Sequence, residues 1–187
     1  MQVLEGLRKA LPEYKIIKIQ EEQYNDVFHL QKENIIYFQY TNEYPIQYKN
    51  IISEITKLPP NTTIDQKYYI GFYLDDTLVA IMDYIDGYPN NETYWIGLFI
   101  LDINYQGLGI GTKIMNTFIE LSDKNIQLGC LSNNKEGLAF WSKFGFKEIR
   151  KAHNKEKDWN IIVMEKRCHN WHLFNVHLDV LSLINIG

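Results

Sequence analysis

Three glycines stand at alternate positions, 107, 109 and 111, in DINYQGLGIGTKIMNTF (residues 102–118), between a strand-like apolar run and a segment of helical periodicity. A helix N-terminus offers unpaired N–H groups and a partial positive charge, and glycine lets a ligand come close, so the chemistry implied is the binding of a phosphate-bearing molecule. Two familiar phosphate loops do not fit. A Walker A loop needs a glycine five positions after Gly107 or Gly109, and a dinucleotide fingerprint needs one where Thr112 stands. A glycine-rich start to a helix with no ligand is the bland alternative.

The pattern Q/R-x-x-G-x-G/A is met residue for residue by Gln106-Gly107-Leu108-Gly109-Ile110-Gly111. A second stretch, LSNNKEGLAFWSKFGF (131–146), sets an asparagine after a strand and then a helix with an aromatic pair ending in Gly-Phe. In these two motifs, and in their order and spacing, the chain resembles the GCN5-related N-acetyltransferase (GNAT) family. The resemblance implies that Gln106 to Thr112, including Leu108 and Ile110, binds the pyrophosphate of acetyl-CoA, a co-substrate. It implies that Asn134 hydrogen-bonds near the pantetheine arm or braces the loop, and that Trp141 lies where many members carry a tyrosine. Helix capping by Asn134, and core packing of Phe140, Phe144 and Phe146, are the plainer readings of the same residues. In the family the strand feeding the glycine loop splays from its neighbour and offers free amides to the pantetheine and the thioester carbonyl; here those residues would be Ile100 and Leu101.

Acetyl transfer to an amine also needs a proton acceptor. Where some members carry a strand glutamate this chain has Ile96, which leaves Asp83, Asp86 and Glu92, with Asp83 favoured because it sits inside an apolar strand. Asp83 is then either a pocket residue that binds and deprotonates an ammonium or a residue on the solvent side of its strand. Trp141 has no acidity useful to a leaving thiolate but can orient the sulfur, and Tyr94 is either a substitute acid or simply a strand aromatic in the core or on the surface. By analogy with the family, Tyr37, Phe38, Tyr40 and Tyr44 join Asp83 in an aromatic, acidic acceptor pocket suited to a cation. The implied activity is direct N-acetyl transfer to a small-molecule or peptide amine; a non-catalytic acyl-CoA-binding module serving a protein partner is the alternative. Cys130, beside Gly129 in a strand-like run, reads as buried packing rather than a nucleophile.

The elements that must position these residues follow from hydrophobic periodicity. YKIIKIQ (14–20) alternates as a strand; 21–34 and a segment from Pro45 to the Pro59-Pro60 stop are helical, joined by an aromatic linker Tyr37–Tyr44. From residue 66 the period becomes two: a hairpin turning at Asp75-Asp76, the loop GYPNNET, and the strand YWIGLFIL (94–101). A helix over 108–123, a strand over 126–132, a helix over 136–146 and a final strand pair complete an α+β plan with a mixed, mostly antiparallel sheet. One domain is expected over 1–167, with an apolar tail, 168–187, docked on it or on a second subunit in a possible homodimer.

Composition bounds the rest. A formal charge of −4 and a pI near 5.7 argue against a nucleic-acid partner and for neutral or cationic substrates. Two cysteines, Cys130 and Cys168, form no CxxC pair and follow no signal-peptide pattern, which fits a soluble cytoplasmic protein. No apolar run reaches membrane-spanning length, so no membrane partner is expected. His169, His172 and His177 in the tail complete a metal-ligand set only with Cys168 and Asp179, and no metal is expected.

Overall fold

Seven strands pair in the order β1-β2-β3-β4-β5-β7-β6 in the computed structural model, which describes residues 2–168. They are β1 (Lys15–Lys18), β2 (Lys67–Leu74), β3 (Thr77–Asp86), β4 (Thr93–Leu101), β5 (Asn125–Leu131), β6 (Lys147–Asn154) and β7 (Trp159–Lys166). Only β4 and β5 run parallel; every other neighbouring pair is antiparallel. The turn of the β2–β3 hairpin is Asp75-Asp76, both in the left-handed region that aspartate tolerates better than most residues.

Helices cover both faces. On one, α1 (Gln2–Ala10), α5 (Ile110–Leu121) and α6 (Lys135–Lys143) pack Leu7, Ile114, Met115, Phe118 and Trp141 onto Met82, Tyr84 and Leu128. On the other, α2 (Tyr24–Glu33), α3 (Ile35–Tyr40) and α4 (Tyr48–Thr56) pack Val27, Leu30, Phe38, Ile51 and Ile55 onto Tyr69, Ile81, Leu98 and Ile100. Each fully buried Leu, Ile or Phe is worth about 1.5–3 kcal/mol of apolar transfer, so both layers are needed to hold a sheet apolar on its two faces.

The expected α+β plan is the observed one, with two additions. Helix α1 lies in a stretch to which periodicity assigned no element; Val3, Leu4 and Leu7 bury one face, and Gly6 lets it approach Leu121 of α5 so closely that a Cβ would stand 3.0 Å from it. Helix α3 forms in the segment read as an aromatic linker: six residues are too short to display a helical period. The helix from Pro45 begins later, at Tyr48. The tail from residue 169, with its three histidines and Asp179, lies outside the described residues.

One irregularity decides the site. Tyr84 of β3 faces Ile96 and Asp83 faces Leu98, so Gly97 is an extra residue, a bulge, in β4. Before it Tyr94 and Ile96 face α5; after it Leu98 and Ile100, of the same parity, face α2 and α4. The bulge thus turns β4 over at the point where its partnership with β5 ends.

Candidate active site

Strands β4 and β5 pair from Thr93↔Asn125 to Ile96↔Leu128 and then diverge. The wedge between them opens into a groove of about 820 Å³, walled by Gly97 to Leu101 of β4, Gly129 to Leu131 of β5, Asn34, Tyr37 and Tyr40 around α3, Asn134 and Trp141 of α6, and Gly107, Gly109, Gly111 and Thr112.

At one end the groove is made of backbone. Gly107 (φ 75°) and Gly109 (φ 81°) hold left-handed conformations, and a Cβ built on either would meet no protein atom within 4 Å: the space in front of them is open. Helix α5 starts at Ile110 with no side-chain cap on its first N–H groups. Its twelve residues align peptide dipoles toward those groups, so the end suits an anion. Gly111 is buried, its Cα against Leu101, where a Cβ would stand 3.2 Å from the leucine methyl. Gln106, expected to add a donor to the diphosphate, spends its Nε2 elsewhere: it donates to Asn34 Oδ1 (2.9 Å) and to the Leu101 carbonyl (3.2 Å). Asn34 Nδ2 also donates to that carbonyl, at 3.0 Å, and the loop is thereby tied to the start of α3.

The free edge of β4 lies alongside. Asp102 N–H donates to Val79 O (2.9 Å), and since alternate residues of a strand turn their backbone groups to the same side, Ile100 also faces β3, opposite Ile81. This corrects one expectation: the amides turned to the groove are those of Phe99 and Leu101, and not that of Ile100. Across the groove Asn134 caps α6, its Oδ1 accepting from Gly137 N–H at 2.8 Å, which leaves its Nδ2 without a partner among the described residues. Trp141 packs against Phe99, Phe140 and Phe146 and lines the groove.

The other end is made of side chains. Lys67 and Asp83 are both buried, 3 % and 7 % exposed, and pair at 2.8 Å (Nζ to Oδ2), while Asp83 Oδ1 has no partner among the described residues. Their place is directly behind Gly97, where a Cβ would come 2.7 Å from Asp83 Oδ2. Burial pushes the Asp83 carboxyl up, against the pull of Lys67. Beside them Gln31 Nε2 donates to Glu54 Oε2 at 2.7 Å and to the Tyr69 hydroxyl at 3.0 Å. Glu54 is pushed up to about 7, first by burial and then by Asp83 and Glu43, with the Gln31 bond and Lys67 opposing. Tyr37, on the groove wall, is raised by burial and by the same carboxylates, Glu54 and Glu43. Finally the turn between β6 and β7 reaches over to the segment after α3: Trp159 Nε1 donates to Thr41 O (3.0 Å), and Lys157 pairs with Glu43.

A family model described as the acetyltransferase (GNAT) family matches residues 21–146, from the 3₁₀ turn before α2 to the Gly-Phe pair that follows α6. The chain belongs to the GNAT acetyltransferase family. It is an acetyl-CoA-dependent N-acetyltransferase, so the enzyme reading stands over the non-catalytic module. A spermine/spermidine N(1)-acetyltransferase of Bacillus subtilis is 29% identical over 119 residues, 57% of this chain and 75% of the relative. Among solved structures, an acetyltransferase from Thermus thermophilus superposes with a TM-score of 0.67 at 15% identity, over 82% of this chain and 96% of the other. A Vibrio cholerae spermidine N-acetyltransferase chimera superposes with a TM-score of 0.61 at 13% identity, over 87% and 99%. These two likenesses show the GNAT fold.

Within that fold the residues singled out by sequence divide. The glycines, Thr112, Asn134, Trp141, Ile100, Leu101, Tyr37 and Tyr40 gather at the groove, whereas Leu108 and Ile110 are not on its wall. Phe38 is in the core behind the groove and Tyr44 is exposed. Glu92 is on the surface, in the loop before β4; Asp86 pairs with Lys124 (2.5 Å); and Tyr94 donates to Asp123 Oδ1 (2.9 Å) under α5. None of these three touches the groove, so the substitute-acid reading of Tyr94 does not survive. Asp83 fits neither of its alternatives: it is neither on the groove wall nor on a solvent face, but buried with Lys67. Cys130 is on the groove wall, its thiol pushed up by burial to about 11 and so un-ionised at neutral pH. Gln31, Asn34, Glu54, Lys67, Gly97 and Trp159 went unread. Gly97 alone gave a signal, as the one glycine in a run of large apolar strand residues.

No helix among the described residues is long and apolar enough to cross a membrane.

Proposed function

We propose that this enzyme acetylates a primary amine of a small polycation of the polyamine type, with acetyl-CoA laid along the groove between β4 and β5. The reading rests on the charge of the acceptor end. Behind the groove wall at Gly97 and Tyr37 two carboxyls, Glu54 and Asp83, stand with one buried ammonium, Lys67, among the described residues, so this end is acidic and holds more hydrogen-bond acceptors than donors. Aromatic walls from Tyr37 and Tyr40 suit an alkylammonium. The Bacillus relative, named for spermine and spermidine, has the same acceptor class.

At the donor end, acetyl-CoA supplies the activated acetyl group. The N–H groups at the start of α5, with Gly107 and Gly109 beside them, hold the diphosphate, a use that needs no side chain. The amides of Phe99 and Leu101 on the free edge of β4 orient the pantetheine and face the thioester carbonyl, where preorganised donors stabilise the charge that develops on oxygen. Asn134 Nδ2 and the Trp141 indole line the opposite wall and fix the arm and the sulfur. Holding the amine in the acidic end against that carbonyl makes the reaction effectively unimolecular.

Acetylation of spermine, spermidine, a monoamine and a peptide amine, followed by thiol release from acetyl-CoA with a thermal-shift series in parallel, tests the reading. The polyamines are expected to exceed the monoamine at least tenfold in kcat/KM, since one added ion contact of about 1.4 kcal/mol gives that factor. Preference for the peptide amine would overturn the acceptor class while leaving the donor site standing.

A further inference from the structure

The carboxyls around the acceptor end differ in their partners. Glu43 is tied to Lys157, Asp86 to Lys124 and Asp83 to Lys67. Glu54, on α4, has no cation at bonding distance: its Oε2 accepts from Gln31 Nε2 (2.7 Å) with the Tyr69 hydroxyl at 3.5 Å, and its Oε1 accepts nothing from the described residues. Two buried acceptor oxygens nearby, Gln31 Oε1 and Asp83 Oδ1, also lack donors among the described residues. Such an excess of acceptors is satisfied by an incoming N–H group or by water relaying one. Glu54 is half-buried and off the groove wall, and Tyr37, which lines the groove, feels its charge.

We propose that Glu54 takes the proton of the acceptor ammonium, reached past Tyr37 directly or through one water, while the Asp83–Lys67 pair sets the surrounding charge without exchanging the proton. This rests on the amine-acetylation reading above. The step balances: an N–H bond of R–NH₃⁺ breaks and an O–H bond forms on Glu54, which frees the nitrogen lone pair to attack the thioester carbonyl. The C–S bond breaks, the sulfur leaves with a second nitrogen proton as free thiol, and Glu54 returns its proton to water. Five titratable groups face Glu54: Asp83 from β3, Lys67 and Tyr69 from β2, Tyr37 from α3, and Glu43 from the segment before α4. Burial and the two carboxylates outweigh Lys67 and the Gln31 bond, and a carboxyl held near neutrality is matched to base catalysis at neutral pH.

The test is the pH dependence of kcat/KM for the best amine in three proteins: the native chain, Glu54→Gln and Gln31→Leu. The native profile should fall on the acid side with a midpoint near 7, below the limb due to the amine's own ammonium, which is common to all three. Glu54→Gln should lower the plateau roughly 100-fold and remove the limb at 7. Gln31→Leu, which deletes the hydrogen bond that favours the ionised form, should move that limb up by about one pH unit, a displacement that loss of packing alone would not produce. The acetyl-CoA thermal shift should be the same in all three, which separates a folding defect from a chemical one. A limb that persists in Glu54→Gln, or stays fixed in Gln31→Leu, overturns the assignment of Glu54 alone. Absence of turnover with every amine in the native protein, despite a thermal shift, overturns the amine reading and this assignment with it.

Discussion

The two ends of the groove are built from different materials. The donor end is backbone: left-handed glycines, the first turn of α5 and the free edge of β4, all between residues 97 and 112. The acceptor end is side chains gathered from Gln31, Tyr37, Glu54, Lys67, Asp83 and Trp159, on six different elements. Backbone presents the same donors whatever the neighbouring side chains, so the donor end can be kept for one ligand while the acceptor end is changed residue by residue. A consequence is that substitutions should sort cleanly, with acetyl-CoA affinity answering to one end and amine affinity, proton transfer and buried charge to the other.

The largest expected effect breaks the acceptor end through its charge. Lys67→Met leaves the Asp83 carboxyl buried without its cation, and removal of one partner of a buried pair costs about 3–5 kcal/mol. The loss should be greatest at neutral and alkaline pH and should shrink in acid as Asp83 takes up a proton, because the unpaired carboxyl is destabilising only when ionised. The double substitution Lys67→Met, Asp83→Leu should recover most of the stability by removing both charges together. Urea unfolding of the three proteins at two pH values measures this, and a cost below about 1 kcal/mol for the single change would mean that water already reaches the pair.

At the donor end Gly109→Val should act on one substrate only. The site has φ 81° and open space around the missing Cβ, so the cost inside the protein is backbone strain, about 1–3 kcal/mol for a β-branched residue in this region. The new methyls also fill the space that an anion must enter to reach the N–H groups of α5. Acetyl-CoA affinity should fall about 100-fold, which corresponds to about 2.7 kcal/mol. The KM of the amine should change less than about twofold, within the range in which sites without shared partners behave additively. Initial rates with each substrate varied in turn give both numbers, and equal changes in the two would show that the ends are not separately built.

The same contrast explains what could be read from sequence. A backbone site is contiguous by necessity, so Gln106 to Gly111 and the LSNNKEGLAFWSKFGF stretch carry the donor end in plain view, and the sheet that holds them follows from period-two runs. The acceptor end has no spacing rule, because nothing local relates residue 31 to 54, 67 or 83. Glu54 reads as a polar residue on an amphipathic helix and Lys67 as a charged start to a strand; only the fold puts them back to back. Alternation also misleads at β4, where the Gly97 bulge reverses the faces, and β3 is apolar and buried on both faces, so counting could not set Asp83 on a side. Even within the legible part, Ile100 and Leu101 differ by which neighbour they face, a distinction set by the β3 register rather than by residue type.

The smallest effect sharpens the comparison, since it concerns the link that lies over the acceptor end. Trp159 of β7 donates its indole N–H to Thr41 O, and Lys157 sits 4.3 Å from the centre of the Trp159 ring while pairing with Glu43. Trp159→Phe keeps an aromatic face for Lys157 but removes the donor, leaving the Thr41 carbonyl, at a half-buried contact, to find water. One neutral hydrogen bond is worth about 1 kcal/mol, so the unfolding free energy should drop by about that amount. Lys157→Met should cost less, about 0–1 kcal/mol, and its effect should fade with added salt, because a partly exposed ion pair is screened. Both changes loosen the segment that carries Glu43 and follows Tyr37 and Tyr40, so the KM of the amine should rise about two- to fivefold, the equivalent of less than about 1 kcal/mol, with the KM of acetyl-CoA unchanged. The reverse pattern, acetyl-CoA affected and the amine not, would place the β6–β7 turn with the donor end and dissolve the division between the two.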